Sequence, residues 1–145
     1  MRIIRRNLIC PYASLGAVAG ICTKILSEHE LPENIKYWIV KTHDACREYL
    51  LKLPKPTDAE IQAIKPIMDK FFTEHFKKDK HILSMVNFFI CIIDDLRIRD
   101  SGMTKIGKAL NGLHTSVVER YKDKALCLNF GIKTGEKWHE AFGRQ

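Results

Sequence analysis

The chain has 145 residues, 46% of them apolar, with only five prolines and eight glycines, a balance that allows one real core or two small ones and excludes a disordered or collagen-like chain. Its formal charge of +7 is unevenly spread: residues 32–95 carry ten Lys/Arg against ten Asp/Glu, residues 1–31 four against two, and residues 96–145 ten against five. Five cysteines, at 10, 22, 46, 91 and 127, are odd in number and form no Cys-x-x-Cys pair, which argues against a disulfide framework or zinc knuckle and for reduced, mostly buried thiols in a cytoplasmic protein.

The N-terminus reads two ways. MRIIRRN followed by LICPYASLGAVAGIC has the basic start and apolar run of a signal peptide. Against export, Pro11 interrupts the run, no small-x-small cleavage site follows, and Lys24 ends about fifteen apolar positions where a span needs roughly twenty. A buried helix starting near Pro11 is therefore expected, with Gly16 and Gly20 letting another backbone approach. Pro32 can sit in the first turn of a second helix carrying Ile35, Trp38, Ile39, Thr42, Cys46 and Tyr49 on one stripe and stopping before Pro54-Lys55-Pro56. Thr57-x-x-Glu60 is a capping box that opens a third, with Ile61, Ile64, Met68, Phe71 and Phe72 as its apolar face and Pro66 kinking it or shifting its start. After the hydrophilic break Lys77–Lys80, His81 to Leu96 is an apolar run whose length predicts a buried helix over a strand. Beyond Asp123, Leu126 to Ile132 reads as a short extension or wing, and Trp138 and Phe142 as anchors of a last helix.

The most informative stretch is Thr104 to Asp123, TKIGKALNGLHTSVVERYKD. Ile106 and Leu110 share one helical face and Val117 and Tyr121 another, with Asn111-Gly112 between them. Asn and Gly take positive φ most easily, so the spacing predicts two short helices and a turn at 111–112. A helix-turn-helix needs a small residue where its helices cross, here Gly107, and a second helix with a polar outer face, here His114, Thr115, Ser116, Glu119 and Arg120.

IGKALNGLHTSV resembles the helix-turn-helix superfamily, and is most similar to the C-terminal DNA-binding domain of the bacterial replication initiator, where an isoleucine-glycine helix precedes a His-Thr-Thr-Val recognition helix. The turn here is one residue shorter, and Leu113 replaces an acidic residue. The resemblance covers roughly twenty residues, and it implies that His114, Thr115 and Ser116 touch double-stranded DNA. The positive excess coincides with this segment, placing Lys105, Lys108 and Arg120 where they would neutralise phosphates.

Other constellations carry less. His43-Asp44, with His29 and Asp94 or Asp95, invites comparison with metal-dependent phosphohydrolases, but adjacent helical residues point about 100° apart. Asp94-Asp95 is better read as the surface end of an apolar helix than as an acid/base pair. No Gly-rich phosphate loop or nucleophile triad is present, so neither an enzyme nor a cofactor nor a bound metal is expected.

The sequence thus predicts an all-α protein of about six helices, a helical bundle with a C-terminal helix-turn-helix unit. Residues 1–78 form an N-terminal region and 79–145 a DNA-binding region, or the two form one continuous domain. The expected function is DNA binding in transcription regulation or replication, without a membrane and as a possible homodimer through the N-terminal helices. The alternative is a helical protein-interaction or assembly factor without nucleic-acid binding.

Overall fold

A computed structural model describes residues 2–75, 82–94, 96, 101–120 and 125–142; within that range the side chains of 2–10, 71–75, 82, 83, 94, 101, 125–131 and 142 are not described. The chain is all-α, with six helices and no strand among the described residues: α1 Arg2–Glu28, α2 Glu33–Leu50, α3 Asp58–His75, α4 Ile82–Asp94, α5 Ser101–Arg120 and α6 Ala125–Phe142. α1 packs on α2, α2 on α5, α5 on α4 and α4 on α6, and α1 closes back onto α4 and α6. α3 is attached mainly through α1.

Apolar spacing explains most of this. α1 buries Ala13, Leu15, Ala17, Val18, Ile21, Cys22 and Ile25, a face broad enough to meet four neighbours. It begins at Arg2 and runs straight through Pro11, so the expected start near Pro11 is corrected. No helix is long and apolar enough to cross a membrane among the described residues. α2 buries Ile35, Ile39, Thr42, Ala45, Cys46 and Tyr49, the anticipated stripe except that Trp38 is half-buried. The Thr42 hydroxyl, which would be costly to bury alone, donates to the Trp38 carbonyl at 2.8 Å. Two tightened bonds, Lys52 N–H to Tyr49 O and Leu53 N–H to Leu50 O, then end the helix before the Pro-Lys-Pro linker.

At α3 the capping box forms as expected: the Glu60 amide donates to Thr57 Oγ1 at 3.2 Å and the Thr57 amide to Glu60 Oε1 at 3.0 Å. Pro66 lies inside the helix and does not shift its start. The apolar run of α4 is a buried helix, with Met85, Val86, Phe88, Phe89, Ile92 and Ile93 inside. Leu126 to Ile132 is the first part of α6, not a wing. Trp138 of α6 is fully buried, edge-to-face on Phe88 at 5.6 Å, and donates its indole N–H to Ser14 Oγ of α1 at 3.0 Å. One hydrophobic cluster therefore runs from Ala13 to Trp138.

The expected turn at Asn111-Gly112 does not form, because α5 is a continuous helix from Ser101 to Arg120. Gly112 has a different use. A Cβ there would lie 2.5 to 2.6 Å from three indole carbons of Trp38, so the missing side chain lets the ring of α2 lie against the α5 backbone. The crossing residue is Gly112, not Gly107, which is exposed and has nothing within 4 Å of an added Cβ. Gly135 plays the same part between α6 and α4, with Cys91 Cβ 2.6 Å from an added Cβ.

Candidate functional site

Trp38 meets Gly112, and ten residues further along α2 Glu48 meets Lys105, seven residues back along α5, so the two helices run antiparallel. Between these contacts their facing positions are small, Ala45 and Ala109, and a groove of about 330 Å³ opens. At 1.5 Å per residue it is roughly 10 to 15 Å long. Trp38 walls one end; Lys41 and Asp44 from α2 and Lys108 from α5 line its sides.

The charges of the groove are partly spent on one another. Lys105 Nζ donates to Glu48 Oε2 at 2.9 Å, and this bond, with the Lys105 charge and a lesser contribution from Lys52, holds the Glu48 carboxyl below its usual range. Both side chains are more than half exposed, so the pair contributes little stability. Asp44 Oδ1 lies 3.0 Å from His43 Nδ1. Lys41 and Lys108 have no carboxylate partner among the described residues; Lys41 instead lies over the Tyr37 ring, 5.4 Å from its centroid. Tyr37, half exposed, stands edge-on to Trp38 at 5.1 Å.

The residues expected to read DNA do not share one surface. Successive helical positions turn by about 100°, so His114 is half-buried on one flank of α5, Thr115 is exposed and Ser116 is buried. Thr115 Oγ1 donates to the Asn111 carbonyl one turn back. In the middle of a helix the backbone amides are consumed by the ladder, so residues 114–116 lack the free amides that a helix start would offer. Lys108 and Arg120 are exposed, and Lys105 is exposed but ion-paired.

His43 and Asp44 touch each other, yet no group of three His, Cys, Asp or Glu side chains converges in metal-ligand fashion among the described residues. Asp95 and the Asp94 side chain lie outside the described residues, as do residues 97–100 and 121–124 with several of the basic side chains beside α5. Gly20 is exposed and Gly16 half-buried at a cleft, so a second copy seated on that face would have to fill the cleft.

Of the α2 wall only Trp38 is legible in the sequence, as part of the apolar stripe; Lys41, Ala45 and Glu48 follow it at helical spacing but carry no signal of their own. Nothing local marks Gly112 as their partner. Comparison with family models, with curated proteins and with solved structures returned no match, so the reading of this groove rests on its own geometry.

Proposed function

We propose that this chain is a non-catalytic binding module that engages nucleic acid through the α2–α5 groove and the exposed face of α5, without a helix-turn-helix bend at 111–112. The observation that carries the reading is the pair Lys41 and Lys108: the carboxylates of the groove are engaged by Lys105 and His43, leaving these two ammonium groups without a carboxylate among the described residues. The aromatic pair Tyr37 and Trp38 beside them adds apolar rings to cations, the combination that holds a sugar-phosphate chain and its bases. The positive excess of residues 96–145, ten Lys/Arg against five Asp/Glu, favours the same ligand. A role in transcription or replication belongs to this proposal.

Titration of duplex and single-stranded DNA at 50 and 200 mM salt tests it. If Lys41, Lys108 and Arg120 each meet a phosphate, affinity on duplex falls with a log-log slope of roughly −2 to −3. The double variant Lys41→Glu, Lys108→Glu loses most of that affinity. A flat salt response, or no binding at 50 mM, rejects the proposal.

A second reading, a protein-interaction or assembly factor, draws on a specific feature of the same face. Asp44 and Glu48 repel phosphate, and exposed Tyr37 and Val40 continue along α2. An aromatic centre within a mixed-charge rim suits a protein partner. Association that is indifferent to salt yet lost in Tyr37→Ala separates this reading from the first.

A further inference from the structure

A second cavity lies on the other side of the bundle. Tyr12, Ala13 and Gly16 of α1 face Ile61, Ile64 and Met68 of α3 across a cleft of about 230 Å³. Its floor is closed, since Ala13 and Ile64 are buried, while Tyr12, Ile61 and Met68 are half-buried along its walls. Space at Gly16 is unfilled: a Cβ added there meets nothing within 4 Å. α3 thus turns its apolar face to α1 without closing on it, because Ala13 and Gly16 are too small to meet it. The rim carries exposed Lys65 and Asp69, one helical turn apart and of opposite sign.

We propose that this cleft binds a small neutral amphiphile, an alkyl chain of about eight carbons ending in a hydroxyl. The size follows from the volume: an apolar cavity of about 150 Å³ takes the six carbons of benzene, and 230 Å³ scales to about nine non-hydrogen atoms. The head group follows from the rim. Either ion meets one like and one opposite charge, Asp69 and Lys65, which offset each other and leave its desolvation uncompensated, whereas a hydroxyl donates to the first and accepts from the second. Met68, unbranched and adaptable, lets the wall follow the chain.

Calorimetric titration of the whole chain with octan-1-ol is the test. Octan-1-ol binds saturably at one site, and hexan-1-ol binds on the order of tenfold more weakly, since each buried methylene tightens binding roughly fourfold. Octanoate and octylammonium both bind more weakly than octan-1-ol. Gly16→Leu fills the cleft and abolishes binding; should that variant fail to fold by circular dichroism, Gly16→Ala weakens binding in part. Asp69→Lys shifts preference to octanoate. The Lys41→Glu, Lys108→Glu variant keeps full octan-1-ol affinity, so the result is independent of the DNA titration. Absence of saturable binding, or binding untouched in the Gly16 variants, overturns the proposal. So does light scattering that shows a dimer lost in Gly16→Leu, because the occupant is then a second copy.

Discussion

Two glycines of α5, five residues apart, have opposite roles, and the difference is measurable. Gly107 is exposed with open space where a side chain would go, so Gly107→Ala gains helix propensity and stabilises by about 0.5–1 kcal/mol. Gly112→Ala gains the same propensity but drives a methyl into the Trp38 ring, and the expected net effect is a loss of about 1–3 kcal/mol. Urea titration of both variants checks the pair. Asn111→Ala completes the argument: within a continuous helix it stabilises by about 0.5 kcal/mol, and a loss of stability would restore the bend. At Gly135 the obstacle is Cys91 Cβ, so Gly135→Ala is destabilising and Cys91→Ala does not rescue it.

Buried thiols give a pH signature at the same scale. Burial pushes the Cys46 thiol up to about 12 from an ordinary 9.0, and pushes Cys22 well above 9.0, with nearby Cys46 adding to it. Below pH 9 the folded and unfolded chains both hold these protons, and pH has no effect through them. Above it the unfolded chain releases them first, so stability falls towards pH 12, by up to about 1.4 kcal/mol per pH unit for each thiol. Cys46→Ala should therefore flatten the decline measured by urea titration between pH 8 and 10. Both thiols should resist iodoacetamide in the folded chain and react once it is unfolded.

Among the elements, α3 stands apart. Its start depends on the Thr57 and Glu60 capping box, and its principal neighbour is α1 alone. Thr57→Ala removes the cap at a cost of about 1 kcal/mol, and that cost falls on the opening of α3 more than on the unfolding of the whole chain. Amide exchange should quicken across 61–70 in this variant while α1, α2 and α5 keep their protection. The capping box was legible because both partners lie within four residues. So was the core stripe of α2, because a helical period is written in the sequence, while α4 is marked as a helix by the length of its apolar run. Asn111-Gly112 was misread for the complementary reason: its turn propensity is local, and what overrides it is a tryptophan 74 residues upstream. The groove shares that history, for Lys105 and Lys108 were visible as basic residues, but their neighbours Lys41, Asp44 and Glu48 arrive through packing.

At the level of the whole molecule, α6 ties the last part of the fold to the first. Trp138→Phe removes the indole N–H that Ser14 accepts and leaves a buried hydroxyl with one bond fewer, at an expected cost of about 2–3 kcal/mol. Trp138→Ala also abandons the Phe88 contact and should cost about 3–5 kcal/mol, with one cooperative transition at lower denaturant in place of separate loss of the C-terminal helix. A partial, noncooperative loss of helicity would contradict the single core.

The Trp138 to Ser14 bond joins residues 124 positions apart, and this has a consequence for biosynthesis. At roughly 5–20 residues per second, the ribosome delivers the partner of Ser14 about 6 to 25 seconds after Ser14 itself. Throughout that interval α1 can lean only on α2 and whatever has emerged since, and the part of its face that α6 covers stays open to chaperones. The covering of α1 is thus completed only once α6 has emerged.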